Sequence, residues 1–564
     1  MGPSAEGYGP SMSSEPSSFS AETRRQNIIQ LGQQAFDVLV IGGGITGAGI
    51  AHLAARRGYH VALVEKGDFA SGASSKSSKL IHGGLRYLAT GDYELVFQAS
   101  RQRRKLRRLA PHLVWPVPFV LPVYEDSSNS WLKTIAGMWL YDALATFRNV
   151  QPHQVWSARR ALKREPLLNP QGLVGAARYF DCGTDDARLT LVNLVAAHRL
   201  GAVIANQAQV TRLRQAGGLV SGASVTDRIG GAEIEVQARV VICAAGPWTD
   251  AVLGRVGTER WLRPTKGVHI IVPAERAPTR SALAFTSPRD GRFLYLIPWQ
   301  GHVLIGSTET DFAGDPDEVC ATADDVAYLL EAAGQAFPEA HLTASDVIST
   351  FAGLRPLIDA AAVANYQVSR EHHVAEVAPG LIAIAGGKLT TYREMADDVV
   401  HALAHHLPAK HRLRRAFVTR RLPGARVSGW AWLRAHLAAV GQAVALPEDV
   451  TAHVVATYGS EAPRVLDLVA CQPALAARLT PELPVIMAQV VYALRQEMAV
   501  NLVDVLDRRT HLLALARDQG LAAAVPVADV MAAELGWTPA TRAAQLEHYR
   551  REVALSRRWR GDEA

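Results

Sequence analysis

The stretch from Phe36 to Glu65 constrains the fold more than any other. An apolar run, Phe36-Asp37-Val38-Leu39-Val40-Ile41, reads as a buried parallel strand. Gly42, Gly44 and Gly47 follow in GxGxxG spacing, and Ala48 to Arg57 reads as a helix. A second strand, His60 to Val64, ends at Glu65, 23 positions after Gly42. Strand, glycine turn, helix, strand and terminal acid together make a dinucleotide-binding βαβ unit. Gly42 makes the tight turn, Gly44 lets the backbone approach a pyrophosphate, and Gly47 lets helix and strand pack closely. The helix N-terminus supplies unpaired N–H groups and a positive dipole. A glycine turn alone can bind nothing. Here the flanking elements and Glu65 carry the reading, and Glu65 as acceptor for a free ribose 2′-hydroxyl favours FAD or NAD over NADP.

The whole chain sets looser bounds. Its 564 residues suit about three or four domains, and 48% hydrophobic residues supply a large core. Lys plus Arg is 59 against 53 for Asp plus Glu, a net charge of +6. That balance suits anionic substrates and an anionic membrane surface, and gives no reason to expect nucleic acid. The four cysteines, Cys182, Cys243, Cys320 and Cys471, form no CxxC pair, which fits a reducing cytoplasm. There is no apolar run of transmembrane length and no signal-peptide pattern. Residues 1–34 are rich in Ser, Pro, Gly and Glu and read as a flexible tail.

Gly67 to Lys79, GDFASGASSKSSK, is a loop of small polar residues suited to wrapping a phosphate and a ribose. LIHGGLRY follows it, from Leu80 to Tyr87. At this point the sequence resembles the FAD-dependent glycerol-3-phosphate dehydrogenases of the respiratory, aerobic type. The matching stretches are SSKLIHGGLRYL from Ser77, APHLVWPVPFVLPVY from Ala110, YFDCGTDDARLTLVN from Tyr179, IPWQGHVLIGSTETDFAGDP from Ile297, FAGLRPL from Phe351 and GGKLTTYREMA from Gly386. They run in family order, which is far more specific than one motif.

The resemblance implies FAD as cofactor and an α/β architecture: an FAD-binding Rossmann-like domain, an antiparallel-sheet substrate domain and a helical C-terminal domain. The expected boundaries are 35–95, 180–255 and 356–410 for the discontinuous FAD-binding domain, 96–179 and 256–355 for the substrate domain, and 420–564 for the helical domain. Local patterns agree. Thr184 to Leu200 reads as a helix, the glycine pairs 217–218 and 230–231 mark hairpins, and Arg239 to Ala244 and Leu381 to Ala385 read as buried strands. Prolines 116, 118 and 122 predict an extended edge or connector. Trp131 to Phe147 reads as a helix whose aromatic residues pack in the core or form a binding surface, and Asn501 to Ala516 as a further helix. No second GxGxxG is evident, which argues against an additional nicotinamide site.

By resemblance, the cofactor-binding residues are Gly42, Gly44, Ile45, Thr46, Gly47, Glu65, Lys66, Ser74, Ser75, Ser78, Lys79, Leu80, His82, Gly83, Gly84, Gly246, Trp248, Gly387, Lys388, Leu389 and Thr390. Oxidising a secondary alcohol needs a hydride to leave C2 toward flavin N5, a base for the hydroxyl proton and a grip on the phosphate. Arg86 and Arg355 suit the grip, because a guanidinium forks onto phosphate; a structural ion pair is the other reading of Arg355. Tyr87 can add a hydroxyl or simply pack in the core. His269 suits the base, with a packed strand histidine as the alternative. The Gly386 turn entering a helix, with Lys388, offers positive charge to the reduced flavin. No metal is expected, since His372-His373 and His405-His406 lack carboxylate partners at ligand spacing.

The implied reaction is oxidation of sn-glycerol 3-phosphate to dihydroxyacetone phosphate, with electrons passed to a quinone. An oxidase using oxygen, an amino-acid or amine oxidase on the same fold, and a catalytically silent flavin-binding or membrane-docking protein are the competing readings. Arg101 to Arg108, RQRRKLRR, carries six positive charges and reads as a solvated helix face or a contact with anionic lipid. The expected location is the cytoplasm, peripherally at the inner face of the plasma membrane. Oligomeric state stays open, with a homodimer as one option.

Overall fold

The computed structural model describes residues 18–88, 91–127, 130–257, 260–359, 372–408, 421–426 and 430–561. The chain opens with helix α1 (Ala21–Gln33), strand β1 (Ala35–Ile41), helix α2 (Ile45–Arg56) and strand β2 (Val61–Val64). Strand β3 (Leu80–Ile81), α3 (Tyr93–Leu109), β4 (Val114–Tyr124), α4 (Trp131–Leu144), β5 (Gln154–Ser157), α5 (Ala158–Arg164), β6 (Leu173–Thr184) and α6 (Asp186–His198) follow. Next come β7 (Val203–Ala205), β8 (Ala208–Ala216), β9 (Leu219–Asp227), β10 (Glu233–Cys243) and α7 (Thr249–Leu253). The chain continues through β11 (Leu262–Pro273), β12 (Ala282–Thr286), β13 (Phe293–Trp299), β14 (His302–Gly306), β15 (Thr310–Asp311), α8 (Ala323–Ala336) and β16 (Ser349–Ile358). It then returns through β17 (His372–Ala378), β18 (Leu381–Gly386) and α9 (Tyr392–Leu403).

Two sheets result. The first has eight strands with β17-β18-β10-β1-β2-β7 side by side, and from β18 to β7 the pairing is parallel. Parallel strands are buried on both faces, which is why β1 is apolar almost without a break. The second sheet has ten strands in the order β15-β11-β14-β13-β12-β4-β6-β3, with β16 on β11 and β5 on β6. Its ladder is antiparallel except where β12 meets β4.

Three expectations change. The segment read as a flexible tail contains α1, capped by Ser20 Oγ, which accepts from Thr23 N at 3.2 Å. Polar composition is misleading there because one polar face, Thr23, Arg24 and Asn27, is buried. Arg24 is buried against Asp227, and Asn27 Nδ2 donates to Ile204 O at 2.8 Å. The proline-rich strand β4 is interior, not an edge. Its three prolines share one parity, β6 pairs along its length, and β12 touches it only at Phe119 and Val120.

The third change concerns the C-terminal region. It is helical, as α10 (Trp430–Ala443), α11 (Glu448–Tyr458), α12 (Ala462–Cys471), α13 (Met487–Gln496), α14 (Leu512–Leu515), α15 (Leu521–Leu535) and α16 (Pro539–Arg557). It packs closely on the second sheet. Leu494, Leu506, Val527 and Tyr549 share one core with Phe119, Ile271 and Ile297 of the second sheet. Where one helix was expected over Asn501 to Ala516, a π-turn (Asp504–Arg509) and left-handed His511 (φ 58°) interrupt it. π-turns of this kind recur at functional positions. Among the described residues no helix is long and apolar enough to cross a membrane.

Candidate active site

The glycine turn has the shape its spacing predicts. Gly42 sits at φ 114°, and a Cβ on it would stand 2.5 Å from Ala244 O. A Cβ on Gly47 would stand 1.9 Å from Gly42 O, so only glycine lets α2 approach β1. Gly44 caps α2 and has no side chain to satisfy the first N–H groups. One of them, Ile45 N, donates to Ser74 Oγ at 2.9 Å, which ties the loop to the helix start. Thr46 is half-buried in the same first turn.

Glu65 leaves the end of β2 and accepts from Gly43 N at 2.6 Å and from Gly67 N at 2.8 Å. Burial pushes its carboxyl up, and the two backbone donors oppose that shift. A carboxylate has about four acceptor sites, so it retains capacity for a ribose hydroxyl. A cleft of about 670 Å³ runs past Gly42, Glu65 and Trp248 under the loop Phe312 to Asp317. A second cleft of about 460 Å³ adjoins it at Lys66 and Trp248 and continues past Gly72 and Ser75 to Lys79. Together they form a trough with the Glu65 carboxylate at one end and a helix N-terminus beside it, and these residues fit FAD.

Several expected cofactor residues take other partners. Lys66 Nζ pairs with Asp317 at 2.6 Å and lies 4.2 Å from the centre of the Trp248 ring. Lys79 Nζ is held by Asp186 at 2.7 Å and by Ser75 O at 2.6 Å. Leu80 buries its side chain in the apolar core, leaving only its backbone for a cofactor. Gly83 cannot carry a side chain, because its Cβ would stand 2.1 Å from the Tyr141 hydroxyl. Its N–H donates to Asp181 Oδ1 at 2.9 Å, and Asp181 is held by Arg103 and by Tyr141 at 3.0 Å. So Arg103, counted above in the basic helix face, is a buried anchor for the HGG turn, and Tyr141 is core.

His269 and Arg355 stand close together on adjacent strands. Thr265 pairs with Arg355 and His269 with Phe351 across β11 and β16, and the imidazole stacks on Phe351 at 4.8 Å. Ser78 Oγ of the loop lies 2.9 Å from His269 Nε2, while buried Nδ1 has no hydrogen-bond partner among the described residues. Burial, then the charges of Arg355 and Lys79, hold the imidazole down to about 3. It is therefore neutral at pH 7. Arg355 Nη2 donates to Ser307 Oγ at 2.7 Å and Thr308 O at 3.3 Å, beneath Gly267, which leaves room for the guanidinium.

The third group comes from the other sheet. Gly387, at φ 78°, has no room for a Cβ beside Met395 Sδ. Lys388 is half-buried at the turn entering α9, Leu389 follows it, and Thr390 Oγ1 lies 3.5 Å from His82 O. Half-buried His82 and Gly84 (φ 77°) complete the HGG turn. Gly246 (φ 54°) opens the short turn that presents Trp248 to the trough. Arg86 and Tyr87 lie on the turn Leu85–Leu88, and their side chains fall outside the described residues. The Ser78–His269 pairing was not legible, since those residues stand 191 positions apart.

Known proteins share this fold and much of this sequence. Residues 37–393 match the family of FAD dependent oxidoreductases, and residues 418–542 match the C-terminal domain of alpha-glycerophosphate oxidase. Glycerol-3-phosphate dehydrogenase 2 of Mycobacterium tuberculosis is 37% identical over 529 residues, covering 93% of this chain and 89% of that protein. Alpha-glycerophosphate oxidase of Streptococcus pyogenes is 33% identical, covering 95% of this chain and 98% of that protein. The crystal structure of glycerol-3-phosphate dehydrogenase from Bacillus halodurans complexed with FAD superposes with a TM-score of 0.81 at 31% identity, covering 95% of this chain and 98% of that one.

Proposed function

We propose that this chain, which belongs to the FAD-dependent glycerol-3-phosphate dehydrogenase family, oxidises sn-glycerol 3-phosphate at C2 to dihydroxyacetone phosphate. The observation that carries the reading is the convergence of the His269 ring, the Arg355 guanidinium and the FAD loop at Ser78. Bound FAD supplies a two-electron acceptor for the hydride leaving C2. Arg355, with Arg86, grips the phosphate and sets the distance from phosphate to C2. Neutral His269 takes the C2 hydroxyl proton. A phosphate dianion at Arg355 offsets part of the positive field that holds the imidazole down, so substrate binding strengthens the base. Lys388 and the N-terminal end of α9 bring positive charge to the place where negative charge develops.

Quinone at an anionic membrane face is the acceptor we favour over oxygen. The support is a surface. Helix α4 turns an apolar stripe outward, with Leu132 78% and Trp139 60% exposed and Ala136, Leu140 and Ala143 also exposed, and Phe147, three residues past its end, is 71% exposed. Arg101 and Arg108 of α3 and Arg148 are exposed in the same region, and Arg104 bonds Thr146 just beyond α4. An outward apolar stripe beside basic residues fits the interface of an anionic bilayer. The S. pyogenes relative keeps oxygen as the second reading.

Anaerobic mixing with glycerol 3-phosphate, beside glycerol and glycine, tests the substrate. Only the phosphorylated alcohol should bleach the flavin. Bleaching by glycine would move the chain to the amino-acid oxidases.

A further inference from the structure

The loop Gly67 to Lys79 has no regular ladder of its own, and beside its contacts with the neighbouring turns its charged residues are tied to one distant segment. Asp68, at its start, is 2% exposed. Its carboxylate accepts from Arg508 Nε at 2.6 Å and from Arg509 Nη1 and Nη2 at 2.7 and 2.9 Å. Asn206 Nδ2 adds a longer bond at 3.3 Å and holds Met498 O at 2.9 Å. Lys76, in the middle of the loop, stands 3.6 Å from Asp507. At the loop's end, Asp186 accepts from Ser77 N and Oγ and from Lys79 Nζ. Its neighbour Asp185 is held by His511 Nε2 at 2.6 Å. Start, middle and end thus all lead to residues 507–511.

We infer that Arg508 and Arg509 are positioning residues that hold the loop Gly67 to Lys79 in its cofactor-binding shape. The inference rests on reading that loop as part of the FAD cradle, and it assigns the C-terminal region a part in cofactor retention.

The chemistry of the pair explains why two adjacent arginines stand on a π-turn. Arg508 divides its three nitrogens among Asp68, Asp507 at 2.7 Å and Asp504 at 3.1 Å. Arg509 clamps Asp68 with a two-pronged fork and donates to Glu497 O at 3.1 Å. The widened turn lets consecutive side chains reach one carboxylate from the same side. Lysine cannot reproduce either arrangement, because an ammonium is a point donor without a fork. Burial alone would raise the Asp68 carboxyl, but the guanidinium charges of Arg509 and Arg508 outweigh it and keep it ionised. The loop needs such a clamp. Gly353 of β16 admits it only by lacking a side chain, since a Cβ there would meet Lys76 O at 2.9 Å. Phe69 anchors the start of the loop in the apolar core, while Ser74, Ser77 and Ser78 beyond it are held by hydrogen bonds.

The test uses full-length holoenzyme carrying Arg508→Lys or Arg509→Lys, with Arg495→Lys as control. Arg495 is also paired in this region, to Glu534 at 2.7 Å, but does not touch the loop. FAD release after dilution is followed by flavin fluorescence, and hydrogen exchange is followed on the amides of Gly67 to Lys79. Both clamp variants should release FAD about tenfold faster or more and exchange faster in the loop, while the control matches wild type. A purely structural role would lower the melting temperature and leave release below it unchanged. Release within twofold of wild type in both variants, with unchanged loop exchange, overturns the inference. If either lysine variant does not fold, Asp68→Asn keeps the shape and removes the charge, and is read the same way. Wild-type protein that carries no FAD would refute the cofactor reading, and loop exchange would still decide the clamp.

Discussion

Gly267→Ala adds one methyl group beneath Arg355 and should cost activity without costing the fold. The new Cβ would stand 2.6 Å from Arg355 Nη2 and 2.8 Å from Cζ and Nη1. Comfortable contact needs about 3.5 Å, so the guanidinium must retreat by about 1 Å. Gly267 is not among the positive-φ glycines, so alanine meets no backbone strain there. The atoms displaced are the far end of a flexible side chain, so the strands can stay in register. What changes is the placement of the guanidinium: Nη2 leaves Ser307 Oγ and Thr308 O, and the proposed phosphate seat moves with it. A 1 Å misplacement of a positioning group costs on the order of 100-fold in rate, or about 2.7 kcal/mol of barrier. The assay is stopped-flow flavin reduction by glycerol 3-phosphate without oxygen, with FAD content and melting temperature measured alongside. Loss of phosphate binding common to ground and transition states would appear in KM, and a misaligned C2 in kcat. A kcat/KM within threefold of wild type, with FAD bound, would show that Arg355 does not hold the substrate.

Three further outcomes are expected. Glu65→Ala leaves the Gly43 and Gly67 N–H groups without their acceptor, at about 1–3 kcal/mol each, so purified protein should carry much less FAD; a stoichiometric flavin would refute the ribose role. Burial, the largest cause in each case, holds His52 and His453 down to about 4 and His112 and His269 down to about 3. Their folded values lie below the unfolded 6.5, so the stability is full above that pH and falls as pH drops, by about 1.4 kcal/mol per unit per histidine; a melting temperature constant from pH 7 to 5 would contradict it. A double variant Trp139→Glu, Phe147→Glu should lose binding to anionic vesicles that wild type keeps in part at high salt, since salt screens the arginines and not the apolar stripe. Vesicle binding equal to wild type would clear α4 of the role.

What the sequence could reveal follows the range of the forces involved. The turn at Gly42 and the acid at Glu65 were legible because a βαβ unit is written locally, within 23 positions. Buried strands such as Leu381–Gly386 were legible for the same reason. The partners of Asp68 lie 440 and 441 positions away, and no local pattern announces them. Lys79 illustrates the limit from the other side: its place in a cofactor motif was evident, yet its charge goes to Asp186. Periodicity found α4 but could not say which face is covered. Tyr141 of that helix is buried and Trp139 is exposed.

That last point bears on why one fold carries two kinds of name among its relatives. Removing hydride and proton from a secondary alcohol needs a base, a phosphate grip and the flavin, and the candidate groups for these lie on β11, β16 and the loop. Nothing in that set distinguishes quinone from oxygen. The choice of acceptor belongs to whatever can reach the flavin in the second half of the reaction, and reach is a property of surface and location. An exposed apolar helix is costly in water unless something covers it. A bilayer would cover α4 and at the same time supply a membrane-borne acceptor. The acceptor question is therefore better put to α4 than to His269 or Arg355: a chain whose α4 never meets lipid would have lost the physical reason for preferring quinone.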